Sequence, residues 1–144
     1  MTTPLVITTP RTQVAIDWLT MAGWDMTQET GYPALPGPEI LDAPDKAVFV
    51  TATSGPGYRT EEGGVDSWGL QARLRGDADD PLGAQAAAQL LDYVILHGPH
   101  PVTVCGVPVL NVQRLGGTPV ALPLDPSDRR TEYTATYIFT TGGG

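Results

Sequence analysis

Two stretches of sequence decide the predicted fold: KAVFVTAT at residues 46–53 and VDSWGLQARLR at residues 65–75. The first is β-branched and apolar on both faces, which is typical of a central strand. The second alternates, so that its large apolar side chains share one face while Gln71, Arg73 and Arg75 share the other. The apolar face contains Trp68, Leu70, Ala72 and Leu74. We expect a long hairpin with one side that is solvated or faces a partner.

The turn-rich segment between these two strands, residues 54–64, carries the charged residues Arg59, Glu61 and Glu62. Its glycines and proline favour a chain reversal. We therefore expect it to form the tip of the hairpin.

The first predicted helix spans residues 10–22. Proline suits its first position, Thr9 is a favoured N-cap residue, and Gly23 ends the helix. The apolar residues at helical spacing are Val14, Ala15, Trp18, Leu19 and Ala22. Residues 24–45 are acidic and rich in glycine and proline, and we expect a long surface connection with a short strand near Glu39–Leu41.

A second helix is predicted to begin at Pro81, with Asp80 as its N-cap, and to end at Gly98. The apolar stripe expected to face the core contains Leu82, Ala86, Leu90 and Val94, widened by Ala87, Leu91 and Ile95. The opposite, solvated face is expected to contain Gln85, Gln89 and Asp92.

The last third of the chain predicts β structure. Strands are expected at residues 101–105, 107–114, 118–124 and 131–140, with turns at Gly106 and Gly116–Gly117. Pro119 and Pro123 indicate an edge strand, because proline donates no hydrogen bond to a ladder. The predicted fold class is α+β, a mostly antiparallel β-sheet flanked by two α-helices on one face, in a single domain over residues 1–144.

The charge balance excludes some partners. The chain has 16 acidic and 8 basic residues, with a formal net charge of −8. Nucleic acids and anionic membranes need clustered Lys and Arg, so neither is expected as a binding partner. No apolar run approaches the length of a membrane span, and no signal peptide is recognisable. The single cysteine cannot form an internal disulfide, which suits a reducing compartment.

No group of residues predicts a catalytic, cofactor-binding or metal site. His97 and His100 are three residues apart, but a metal site needs more ligands, and histidines suit the C-terminal end of a helix. Cys105 lies in the apolar stretch VTVCGV, which we interpret as a buried strand. The acidic segment Asp77–Asp80 precedes the second helix, where acidic capping residues belong.

Four stretches together resemble a known family. They are VAIDWLTMAG at 14–23, WGLQARLRGD at 68–77, PLGAQAAAQLLDYVIL at 81–96 and VQRLGGTPVALPLDPSDRRTEYTATYIF at 112–139. In this layout an amphipathic helix, a long loop and a strand pair precede an alanine-rich helix, a glycine–proline turn and a Thr/Tyr-rich final strand. The layout resembles the tail terminator family of long-tailed bacteriophages, often labelled minor capsid proteins.

The resemblance implies a homohexameric ring on the head-proximal end of the phage tail tube. Such a ring stops tube polymerisation and presents the head–tail joining surface, so the implied partners are the tail tube protein and a head-completion or connector protein. It implies no enzymatic activity, no cofactor, and a place in the neck of the virion after assembly in the host cytoplasm. DNA would pass through the lumen without specific binding, since an acidic channel repels phosphate.

A closed ring needs two different surfaces that meet around the axis. Seven of the eight basic residues are arginine, which protein interfaces favour for its planar, bidentate pairing. The residues predicted to lie at the subunit interface are Arg59, Glu61, Glu62, Arg73, Arg75, Arg129 and Arg130. The loop over residues 24–45 is a candidate for the second surface.

Two other functions stay open. One is a head-closure or neck connector protein, which is also small and acts in rings. The other is a small α+β domain that binds a small molecule, with Trp18, Trp68, Tyr133 and Tyr137 lining its pocket. Plain core packing is the preferred interpretation of those four aromatic residues.

Overall fold

A computed structural model of the chain describes residues 9–53, 65–123 and 128–142. Within these residues the chain forms two helices and a six-stranded sheet. The elements are α1 (Arg11–Met21), β1 (Ala34–Pro36), β2 (Ala47–Thr53), β3 (Val65–Ala78), α2 (Pro81–His97), β4 (Val102–Val104), β5 (Val107–Ala121) and β6 (Arg130–Gly142). The strand order is β1-β2-β3-β6-β5-β4, and β1 with β2 is the parallel pair. The α+β fold class and the mostly antiparallel sheet are confirmed.

Strands β2 and β3 pair antiparallel as predicted, with Val50 opposite Ala72. The predicted tip of this hairpin, residues 54–64, lies outside the described residues. On its other side β3 pairs with β6 over nearly its whole length, which places Trp68 opposite Phe139 and Leu70 opposite Tyr137. Directly opposed residues point to the same face of a sheet. The apolar side chains of β3 and the aromatic ones of β6 therefore form one continuous core face.

Both helices pack on this face, and the side chain of Trp18 joins them to it. The Trp18 ring meets the Phe139 ring edge-on at 5.3 Å between centroids, and Phe139 stacks on Trp68 at 5.0 Å. The indole Nε1 of Trp18 donates a hydrogen bond of 2.9 Å to the carbonyl of Pro99, just after α2. A buried Trp thus finds a partner for its one polar atom and ties the end of α2 to α1.

The predicted core face of α2 is confirmed in part: Ala87, Leu91 and Ile95 are buried as predicted, whereas Leu82, Ala86 and Leu90 are exposed. Leu82 and Leu90 are 76% and 55% exposed, while the buried residues are Ala84, Ala87, Ala88, Leu91 and Ile95. Alanines allow the helix to approach the sheet closely: Gly76 of β3 lies directly under Ala84. The helix therefore packs on Leu91, Ile95 and a stripe of alanines. It turns Leu82, Leu90 and Tyr93 outward.

The strand prediction needs two corrections. No strand lies at residues 39–41; the short strand is β1 at Ala34–Pro36, which pairs in parallel with β2. The strands predicted at 107–114 and 118–124 are joined in β5, because Gly116–Gly117 forms a shift in register rather than a turn.

The predicted edge position of the second half of β5 is confirmed. In the described part of the chain, β4 pairs only with Val107–Val109, so the rest of β5 has β6 on one side and no strand on the other. Gly106, with a φ of +77°, forms the β4–β5 turn as predicted.

The close approach of Trp18 to Gly98 gives a stability test. A Cβ atom at residue 98 would lie 2.5 Å from the Trp18 ring, whereas one at residue 117 would meet nothing within 4 Å. We expect Gly98→Ala to lower the free energy of unfolding by about 1–3 kcal/mol through overpacking. Gly117→Ala, the matched control, should change it by less than about 0.5 kcal/mol in urea unfolding. Equal effects of the two substitutions would contradict this packing.

Candidate functional site

The exposed apolar side chains are concentrated on two elements. Of eight exposed large hydrophobic residues in the described part of the chain, six lie on α2 or β5: Leu82, Leu90, Tyr93, Leu110, Leu115 and Val120. Single exposed apolar residues are ordinary on a protein surface, but clustered ones mark contact sites. The two clusters are therefore the candidate functional surfaces.

The first surface, named here the α2 ridge, consists of Leu82, Ala86, Leu90 and Tyr93. These positions fall on one side of a helix with 3.6 residues per turn. The ridge carries no charged side chain. At its end the His97 ring stacks on the Tyr93 ring, with 4.2 Å between centroids. This composition is typical of the centre of a protein interface, where charged residues are depleted and tyrosine is enriched.

An apolar groove runs along the ridge. It lies between α2 and the segment 23–32, has a volume of about 410 Å³, and is lined by Trp24, Tyr32, Ala86, Ala87, Leu90 and Val94 among others. The wall opposite α2 is held in place by hydrogen bonds. Trp24 Nε1 donates to the Tyr32 carbonyl at 2.7 Å, and the Asp25 carboxylate accepts from the Thr27 and Thr30 hydroxyls. The groove is therefore preformed.

The rim of this groove is acidic. Asp25 lines it, and Asp80 at the N-cap of α2 accepts a hydrogen bond from Gly83. Burial raises the pKa of Tyr32 above its ordinary value, and the nearby carboxylates of Asp80 and Asp77 raise it further. The groove thus offers an apolar floor under a negative potential.

The second surface, named here the β5 patch, consists of Leu115 and Val120, which are 57% and 61% exposed. Leu115 lies opposite Thr136 and Val120 opposite Thr134. These threonines alternate with the core residues of β6, so the patch points away from the helices. The β5 patch and the α2 ridge therefore lie on opposite sides of the sheet and cannot meet within one chain.

The arginines predicted at the interface come together elsewhere, at one end of the sheet. Arg75 is only 2% exposed, and its guanidinium donates to the backbone carbonyls of Asp42, Pro44 and Asp45 at 3.3, 2.6 and 2.9 Å. Burial lowers the pKa of Arg75, and the neighbouring Arg130 lowers it further. Arg75 anchors the connection between β1 and β2, so its side chain is not available to a neighbouring subunit.

The other arginines of this group also have partners in their own chain. Arg130 binds Asp42, Asp45 and Asp128, and its side chain is 13% exposed. Arg73 binds Glu132 at 2.6 Å, and Arg129 binds Asp79 at 2.6 Å. Arg59, Glu61 and Glu62 lie outside the described residues. Arg73 and Arg129 keep 40% and 72% of their side-chain surface exposed, and for them an interface role stays a prediction.

The residues considered for chemistry take structural positions. Cys105 is not buried as predicted: it sits in the β4–β5 turn at a φ of +51°, and its Sγ donates to Asp17 at 2.7 Å. This hydrogen bond raises the pKa of the thiol, so it stays protonated at neutral pH. Within the described residues, no group of three or more His, Cys, Asp and Glu side chains is arranged to hold a metal ion.

The aromatic residues considered for a ligand pocket are mainly core residues. Trp18, Trp68 and Tyr137 are at most 1% exposed, and Tyr133 lines a small pocket of about 250 Å³ beside α2. Sequence reasoning missed the partner of Tyr137, whose hydroxyl donates to Asp92 at 2.8 Å. Asp92, predicted on the solvated face, also binds Arg114 at 2.5 Å.

A comparison of the sequence with models of known protein families gives no match, and neither does a comparison with curated proteins. Neither helix in the described part of the chain has the length and apolar character needed to cross a lipid bilayer.

The anchoring role of Arg75 predicts a large stability effect. Arg75→Met would leave three carbonyl groups without their charged donor, and we expect a loss of about 2–4 kcal/mol in the free energy of unfolding. Arg129→Met, which removes an exposed ion pair, should cost less than about 1 kcal/mol. Urea unfolding of both variants measures the difference. Comparable losses would show that Arg75 is not the anchor.

The carboxyl of Asp128 predicts a pH dependence. Hydrogen bonds from Arg130 hold its pKa well below the ordinary value. Its contribution to stability is therefore present above the unfolded-state pKa of about 3.9 and is lost as the pH falls below it. We expect Asp128→Asn to lower the free energy of unfolding at pH 6. Between about pH 4 and pH 2, that free energy should fall less steeply in the variant than in the wild-type protein. The control is Glu39→Gln, which changes an exposed acidic residue of the β1–β2 connection. Urea unfolding at each pH should show that it leaves the decrease in the free energy of unfolding at acidic pH nearly unchanged.

Proposed function

We propose that this chain is a structural virion protein of the tail terminator type. It forms a ring on the head-proximal end of a phage tail tube, stops tube polymerisation and provides the surface that joins the head. The observation that carries the proposal is the placement of five exposed large hydrophobic residues on two surfaces that lie on opposite sides of the sheet, three on the α2 ridge and two on the β5 patch.

Two different surfaces on opposite sides favour a ring over a two-fold dimer. A two-fold interface brings the same patch of both subunits together, whereas a head-to-tail contact uses one patch from each and closes into a ring when the rotation permits. The chain offers two different apolar surfaces. The α2 ridge with its groove lies on the helical side of the sheet, and the β5 patch lies on the other side. The number six and the identity of the tube follow from the family resemblance.

A non-enzymatic role agrees with the environment of the reactive residues. The Cys105 thiol is hydrogen-bonded to Asp17, Asp80 caps α2, and the His97 ring stacks on Tyr93. The arginine side chains at the end of the sheet are engaged with carboxylates and carbonyls of their own chain. The net charge of −8 would disfavour adhesion of DNA as it passes through the ring.

Two alternatives are separable by experiment. A head-closure or neck connector would form rings but would not arrest growth of the tail tube. A small-molecule-binding domain is favoured by one observation, the apolar groove of about 410 Å³ beside α2. Such a domain would carry a stoichiometric ligand and need not assemble.

Native mass spectrometry of the untagged protein over a range of concentrations tests the assembly. We expect an assembly near six times the chain mass of 15.2 kDa, without a bound small molecule. A monomer or dimer that carries a stoichiometric ligand would overturn the proposal in favour of the binding domain.

A polymerisation assay separates a terminator from a connector. The protein is added to growing tubes of the cognate tail tube protein, and tube length is measured by electron microscopy. We expect growth to stop at the capped end at amounts far below those of the tube protein. Tubes that grow to the same length with and without the protein would contradict the terminator function.

A further inference from the structure

We propose that the groove beside α2 in one copy of this chain receives the β5 patch of the next copy. The inference rests on the proposed ring and names the two surfaces that meet in it. The proposed occupant of the groove is therefore a second copy of this chain.

Charge selects this occupant. The groove has an apolar floor, Asp25 lines it, and the carboxylates of Asp77 and Asp80 lie near enough to act on Tyr32 of its wall. These acids outnumber the cation beside the same wall, Lys46, whose Nζ lies 5.7 Å from the centre of the Tyr32 ring. An occupant must therefore be apolar and free of acidic groups. Residues 93–124 contain no Asp or Glu and form the longest such run in a chain with 16 acidic residues. The β5 patch lies within this run, and its one charged neighbour on β5 is the basic Arg114.

The same charges disfavour a symmetric contact. Two grooves placed face to face would bring two acidic rims together, and like charges across an interface repel. Each copy already carries a net charge of −8, so a contact between copies must form through surfaces where the charge is lowest. The α2 ridge and the β5 patch have no charged side chains of their own, so they meet this condition.

The backbone of β5 is also available for a contact. In the described residues, β5 beyond Val109 has a strand neighbour only on the β6 side. Long exposed edge strands with apolar side chains are unusual in proteins that act alone, because they template association. The shift in register between Leu115 and Val120 sets these two side chains opposite Thr136 and Thr134, which are alternate residues of β6, and so brings both to the same face of the sheet.

The arrangement is directional. The β5 patch points away from the helices, and the groove lies on the helical side of the sheet. Each copy therefore donates a patch on one side and accepts a patch on the other. Repetition of this contact uses every groove and every patch once the ring has closed.

Cysteine cross-linking tests the pairing directly. The chain has one cysteine, and Cys105→Ser keeps a hydroxyl that can donate to Asp17. In this background, Leu90→Cys marks the groove and Leu115→Cys marks the patch. The two single variants are mixed, treated with a bismaleimide reagent, and separated under denaturing conditions. Thermal unfolding of each variant checks that it is folded.

We expect the mixture to give a cross-linked heterodimer, whereas each variant alone gives little. The matched control pairs Leu115→Cys with Met21→Cys, an equally exposed apolar position on α1. The heterodimer from the groove and patch pair should exceed that control by about tenfold or more, because contact raises the effective concentration of the two thiols. Equal yields from the two pairs would overturn the inference.

A charge substitution gives a second measurement. Leu115→Asp puts an acid into the patch and should convert the ring to monomers in native mass spectrometry, while Met21→Asp should leave it intact. A ring that persists with Leu115→Asp and shows no cross-link between residues 90 and 115 contradicts this pairing but leaves the proposed function standing. If the chain forms no assembly and neither pair cross-links, both proposals fail.

Discussion

The packing of α2 on the sheet through its alanines is the constraint on which the exposed surface depends. Ala84, Ala87 and Ala88 bring the helix close to β3, where Gly76 leaves room for it. Close packing gains dispersion contacts over the whole length of the helix. Its consequence is that leucines such as Leu90 stay in solvent. The molecule therefore keeps an apolar surface that its own core does not use.

The abundance of arginine predicted a role at subunit interfaces, but two of these arginines bind groups of their own chain. Arg75 is buried under the connection between β1 and β2, and Arg130 binds the same connection from the side. A parallel pair of strands joined by only a short irregular segment needs such anchors, because the backbone carbonyls of the segment must find donors. These two arginines stabilise the fold, and the apolar side chains of α2 and β5 remain exposed.

The proposed ring combines the two sides of the sheet. The helical side carries an apolar groove under an acidic rim, and the other side carries Leu115 and Val120 in the part of the chain without acidic residues. Apolar contact supplies the affinity in such an arrangement, while charge excludes the symmetric alternatives. In the proposed ring, the uneven distribution of charge would allow a strongly acidic protein to assemble with itself.

The sequence by itself determined the two helices, the pairing of β2 with β3 and the core face of that pair, since alternation around Trp68 and the capping of α2 at Asp80 are local physical signals. It also determined the edge position of β5, through Pro119. Only the tertiary structure decided that Ala84 and Ala88, rather than Leu82 and Leu90, complete the buried face of α2, because both pairs of residues recur at helical spacing and packing distance selects between them. It likewise decided that Arg75 is an internal anchor, since its partners lie some 30 residues away and are backbone carbonyls, which no side-chain pattern reveals.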